Sequence, residues 1–179
     1  MSETRNLDHL KVEQFGPCRF IGKSVYAPGQ IWQIFDSFIF NSKWIFDALE
    51  VLTEYAVNGS HNFALKTWDK YNEQTKMMGY TVGRFMKADT PVPEGMDFFD
   101  FPAANVAKGL FRCLPTDDIG LMVMQAEKLV KNAVEQQAKY TVTTWNWIAE
   151  VYPVGYKENI ITDADGKTFC GTYMSCEEK

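Results

Sequence analysis

"TTWNWIAEVYPVGYKE", residues 143–158, sets two tryptophans two positions apart, ahead of a proline and a Gly-Tyr pair. Read as a helix at about 100° per residue, it gathers Trp145, Ile148, Ala149 and Tyr152 on one side and turns Trp147 and Glu150 away. On that reading Trp145 fixes the helix to a core and Trp147 faces a cleft rim or a partner. The helical reading decides the fold, because it makes the second half of the chain repeat the first.

Working outward, "MDFFDFPAANVAKGLFRC" (96–113) reads as strand with a proline interruption, and "LPTDD" offers Asp117 or Asp118 as a helix cap. Met122, Ala126, Leu129 and Ala133 then share one helical face, and the helix breaks near the β-branched "AKYTVTT" before resuming at Trp145. "ENIITD", the Asp-Gly of "DADG" and "KTFCGTYMSC" read as a hairpin. The first half runs the same way: a strand in "PCRFIGKSVYAP", a broken helix through Ile31, Ile34, Phe35, Phe38, Ile45, Leu49, Leu52 and Tyr55, then strands in "NFALKTWDKY" and "MMGYTVGRFMK". The expected fold is α+β: two pseudo-symmetric β-α-β-β modules with antiparallel sheets, each backed by a long or broken helix, with a ligand cleft between them. Three strands and one helix make a poor core alone, so the modules must pack together. Boundaries fall at a polar segment 1–14 and a single domain 15–179, with module one at about 15–88, a Pro- and acid-rich linker at 89–95 and module two at about 96–179.

The 179 residues are 46% hydrophobic and 15% aromatic, enough for a large core or an aromatic-lined pocket without disulfides. A net charge of -5 with no Lys/Arg cluster argues against direct nucleic-acid contact. No run approaches the length of a membrane span, no signal-peptide pattern opens the chain, and the four cysteines lack CxxC spacing. The expected setting is cytoplasmic, with reduced, buried thiols. His9 falls in the polar start and His61 in a turn, and the pattern shows no metal-ligand spacing, so neither a metal nor a cofactor is expected.

Several short signatures stand in register with this order: "PEGMDFFDFPAANVAKGLF" (93–111), "YTVGRFM" (80–86), and "TWNWIAEVYPVGYK" (144–157). Together they resemble the GyrI-like ligand-binding domain, the effector-binding domain of AraC- and MerR-type multidrug regulators. The resemblance covers nearly the whole chain after residue 15. It implies a stand-alone binder of small, aromatic or hydrophobic, drug-like molecules that sequesters or senses a toxic compound. Many members place a glutamate on the last strand to pair with a cationic drug. Aligning Tyr173 with that pattern puts Gly171 at the acid's position, which removes the reason to expect a preference for cations.

On the last strand Phe169, Gly171 and Tyr173 share one face, the cleft face under that alignment. Gly171 marks close approach of a ligand or of another backbone. Trp32, Phe35, Trp68, Tyr80, Phe111 and Trp147 are the further candidates for an aromatic lining, the alternative being plain core. Glu150 is the one catalytic candidate, a carboxylate whose pKa a tryptophan could raise; the alternative is a solvated helix residue. A hydrolase of electrophilic cyclopropane-type molecules, known in a branch of the family, is disfavoured without its longer N-terminal segment and last-strand acid. A gyrase-inhibitor-like protein-interaction module is the remaining alternative.

Overall fold

The computed structural model describes residues 5–28, 37–38, 41–57, 62–72, 77–114, 117–143, 147–152 and 169–179. In chain order the elements are β1 (His9–Phe15), β2 (Cys18–Pro28), α1 (Lys43–Glu50), a 3₁₀ turn (Thr53–Tyr55), β3 (Asn62–Asn72), β4 (Met77–Lys87), β5 (Asp97–Phe101), β6 (Ala104–Arg112), α2 (Ile119–Gln136), β7 (Tyr140–Val142), β8 (Ile148–Tyr152) and β9 (Phe169–Glu178). The strands form one antiparallel sheet in the order β1-β6-β9-β8-β3-β4-β2-β5, with β7 paired to β9. This is an α+β fold, and β3 and β8 meet at the middle of the sheet.

Local chemistry explains the elements. Ile45 and Leu49, one helical turn apart, are fully buried and seat α1 over β2 and β4. α2 starts at Asp118, whose carboxylate accepts the Leu121 N–H at 3.1 Å and satisfies a donor the first turn leaves open. Its buried stripe runs Met122, Val123, Ala126, Val130 and Val134, and it lies on β6 and β9. All four cysteines are free thiols, three of them buried.

Alternation divides every central strand between two faces. Phe20, Phe63, Leu65, Phe85, Trp147, Ala149, Val151 and Tyr173 join one aromatic cluster on the face away from the helices. Ile21, Ala64, Tyr80, Val82, Met86, Ile148 and Met174 point to the helix side. Strands β2 and β4 approach closely where Gly22 faces Gly83. A Cβ on Gly22 would stand 2.1 Å from the Val82 carbonyl oxygen, and one on Gly83 would stand 2.1 Å from that of Ile21, so neither position takes a side chain.

Three expectations are corrected. Residues 148–152 are strand, not helix: β8 is buried on both faces, so its apolar pattern lacks the alternation that marks a half-exposed strand. The helix does end ahead of "AKYTVTT", at Gln136, but it does not resume, since the next described elements are the strands β7 and β8. The polar start holds β1, which pairs with β6 in the register His9↔Leu110 to Phe15↔Ala104. Val12 and Phe15 supply its apolar contacts, and the His9 ring lies 5.2 Å from that of Phe169. Asp163 and Asp165 of the expected hairpin turn, like Trp145, His61, Ile31 and Ile34, lie outside the described residues.

Candidate functional site

At the centre of the sheet, on the helix side, β3 and β8 bring together charges that an ordinary core lacks. The register pairs Ala64 with Glu150 and Lys66 with Ile148, so Lys66 and Glu150 are diagonal neighbours on one face. Tyr80 of β4 stands directly opposite Lys66, and Tyr152 follows Glu150 by one strand repeat. The methyl side chain of Ala64, opposite Glu150, leaves this row open for the longer groups around it.

The hydrogen bonds close the cluster. Lys66 Nζ lies 2.5 Å from Glu150 Oε1 and donates to Glu127 Oε2 of α2 at 3.0 Å. Tyr152 donates its hydroxyl to Glu150 Oε2 at 2.8 Å, and Tyr80 donates to the same oxygen. The two phenol oxygens are 3.4 Å apart. Glu150 therefore accepts from an ammonium and two phenols, which is how a carboxylate survives inside a protein. The side chains of Lys66 and Glu150 are only 7% and 6% exposed, whereas Glu127 is 32% exposed, so the cluster reaches the surface along α2.

Electrostatics fix the protonation states. Burial works against the Lys66 ammonium, but the charges of Glu150 and Glu127 outweigh it and its pKa lies above the ordinary lysine range. Burial, and then the Glu150 charge, push the Tyr80 phenol well above the usual tyrosine value. Near neutral pH Lys66 is a cation and Tyr80 a neutral donor. Neither is poised as a nucleophile or base.

The sequence-predicted residues divide between the two faces. Tyr80 belongs to the cluster itself. Phe111 lies fully buried under α2 with Met122, Val123, Ala126 and Cys170, and Tyr152 packs against that group. Tyr152 also packs against the core under α1, so it joins the two helix-side cores. Trp147 and Tyr173 are on the other face. Trp147 is 3% exposed, with ring centroids 5.3 Å from Phe85 and 5.5 Å from Phe101, and it forms core rather than a rim. Burial pushes the Tyr173 phenol up to about 12. The face of β9 expected to line a cleft is thus the closed aromatic one. Thr172, paired with Glu150, lies on the helix side.

Gly171 does meet a close neighbour, and it is backbone. A Cβ there would stand 2.0 Å from the Gly109 carbonyl oxygen on β6. Glu150 is no solvated helix residue: strand pairing on both sides and the Lys66 contact bury it. Trp32 and Phe35 lie outside the described residues, as does the side chain of Trp68. Sequence reasoning missed Lys66, Glu127 and Tyr152. The signal for Lys66 was its place between Leu65 and Thr67 in a strand apolar on its other face, which reads as an exposed lysine unless helices cover that side. Among the described residues no group of His, Cys, Asp and Glu is arranged to hold a metal. No helix among them is long and apolar enough to cross a membrane.

No family model and no curated protein matches the sequence. Solved structures match the fold. A bacterial transcription regulation protein (so called by inference) from Staphylococcus aureus MU50 superposes with a TM-score of 0.58 at 13% identity, over 94% of this chain and 98% of that one. SAV2435 bound to tetraphenylphosphonium gives 0.58 at 12% identity, over 96% and 94%. EcmrR, in a DNA complex, gives 0.51 at 15% identity, over 96% of this chain and 57% of that one. At these identities the likeness is one of fold. The fold occurs in a DNA-bound protein, so the expectation of no nucleic-acid contact rests on the charge pattern alone.

Proposed function

We propose that this chain is a small-molecule binding domain of the effector-binding type, taking a hydrophobic or aromatic guest on the helix side of the sheet, beside the Glu150 cluster. One observation carries the reading: a carboxylate, an ammonium and a phenol are buried together at the sheet centre, with the half-buried Tyr152 phenol bonded to them. Apolar residues would hold a fold there as well or better, because desolvating an ion pair costs about as much as the pairing returns. Such a cluster is therefore better explained by recognition than by stability. SAV2435, with the same fold over nearly the whole chain, binds an aromatic cation, which supports a guest of this general shape.

Strand order supports two related modules meeting at this site. β2-β4-β3 on one side of the centre mirrors β6-β9-β8 on the other. A close approach of backbone occurs in both halves, between Gly22 and Gly83 on β2 and β4, and between Gly171 of β9 and the Gly109 carbonyl of β6. The guest would sit where Tyr152 joins the two helix-side cores, and the biological role would be to sequester or report a toxic compound in the cytoplasm.

Calorimetric titration tests the reading. Tetraphenylphosphonium and the neutral triphenylphosphine oxide are the probes, and the chain should bind at least one saturably at a single site. Replacing Tyr152 by alanine should weaken that binding about tenfold, the worth of one aromatic contact with its hydrogen bond. No saturable binding of either probe would overturn it.

A further inference from the structure

Resting on that binding reading, we propose that Lys66 is a tethered counterion that fills the cation position beside Glu150, so that the domain takes neutral aromatic guests and turns permanent cations away. A buried carboxylate ringed by phenols is a good seat for an organic cation, through its charge and through the ring faces. Here that seat is already taken. Lys66 Nζ lies against Glu150 Oε1, and both phenols occupy Oε2.

The lysine cannot step aside by backbone movement. β3 is held on one edge by β4 (Lys66↔Tyr80) and on the other by β8 (Lys66↔Ile148), at the middle of the sheet. Nor does it lose its charge, since Glu127 reaches in from α2 at 3.0 Å and shares the ammonium. An arriving phosphonium would find Glu150 neutralised and a second positive charge alongside, in a site screened little by water. A neutral ring system meets no such repulsion. The residual negative charge sits outward on half-exposed Glu127, where solvent and salt weaken it.

The experiment titrates tetraphenylphosphonium and triphenylphosphine oxide into the wild-type chain, into Lys66→Met and into Lys66→Met/Glu150→Gln. Wild type should favour the oxide. In Lys66→Met the phosphonium should gain about tenfold or more relative to the oxide, as an unpaired Glu150 becomes its partner. The double variant, which removes both charges, should lose that gain. A wild-type chain that binds phosphonium more tightly than oxide overturns the proposal without recourse to any variant. An unchanged ratio in Lys66→Met also overturns it, and in both cases the binding reading stands. Failure of both probes to bind any of the three proteins overturns the binding reading itself, and this proposal with it.

Discussion

Replacing Glu150 by glutamine tests whether the cluster is a buried ion pair in energy as well as geometry. Glutamine keeps the shape and an oxygen toward Lys66, but leaves a 7% exposed ammonium without the carboxylate nearest it, with Glu127 the remaining charged group shown beside it. Breaking a buried pair costs about 3–5 kcal/mol when nothing takes over. Because Glu127 retains part of the ammonium's charge, about 2–4 kcal/mol is expected. For a chain of this length each kcal/mol moves the midpoint by about 2–4 °C, so the melting temperature should fall by about 4–16 °C. Urea unfolding followed by circular dichroism at pH 7 gives the free energy, and calorimetry gives the midpoint. Lys66→Met/Glu150→Gln should recover most of the loss, since a neutral pair carries no desolvated charge. A cost below about 0.5 kcal/mol for Glu150→Gln would match a solvated surface pair and refute the reasoning.

Other perturbations separate the parts of the molecule. Gly171→Ala forces a methyl to within 2.0 Å of the Gly109 carbonyl, so it should cost about 3 kcal/mol or more, or abolish soluble folding; an unfolding curve like wild type would show that the strands can part there. Trp147→Ala should destabilise by about 3–5 kcal/mol while leaving probe affinity in the surviving folded protein within about twofold, because its ring lies across the sheet from Glu150. Stability should fall as pH rises above about 9. Burial lifts the Cys18 thiol from 9.0 to about 12, and Tyr80 and Lys66 also keep their protons above their unfolded values. The native state then binds more protons than the unfolded state in that window, so each such group removes about 1.4 kcal/mol per pH unit once its unfolded pKa is passed. Urea midpoints that stay flat from pH 8 to pH 11 would contradict those shifts.

Much of the fold was legible because long strands bounded by turn residues, and amphipathic helices, leave their marks on the chain. β2, β3, β4 and β9 fall where alternation and turn residues put them, and Asp118 is the cap that "TDD" offered. β8 escaped because it is short. Buried on both faces and five residues long, it shows a nearly continuous apolar run that suits a helix as well as a strand. That one misreading displaced the site. As helix, Trp147 and Glu150 shared an outer side; as strand they point to opposite faces, one into the aromatic cluster and one onto Lys66. A buried charge is equally hidden from sequence, since pairing across strands decides whether Lys66 is solvated, and pairing is set by register. Tyr80 was legible as an aromatic but not as a hydrogen-bond donor, because its acceptor lies 70 residues away in the chain.

The four close-approach glycines bear on how relatives of this chain could be found. Every single-base change of a glycine codon that still encodes an amino acid other than glycine installs a Cβ, and at Gly22, Gly83, Gly109 and Gly171 that carbon collides with atoms about 2 Å away. Core positions can trade leucine for methionine or valine for isoleucine and drift beyond recognition. Gly22, Gly83 and Gly171 meet backbone carbonyls and have no substitute to drift to, whereas Gly109 meets the Val130 side chain, which can change with it. Gly22 and Gly83 stand 61 positions apart and Gly109 and Gly171 stand 62 apart, so the two pairs span nearly equal lengths of chain. A search keyed to those spacings should find relatives of this chain whose other positions have drifted.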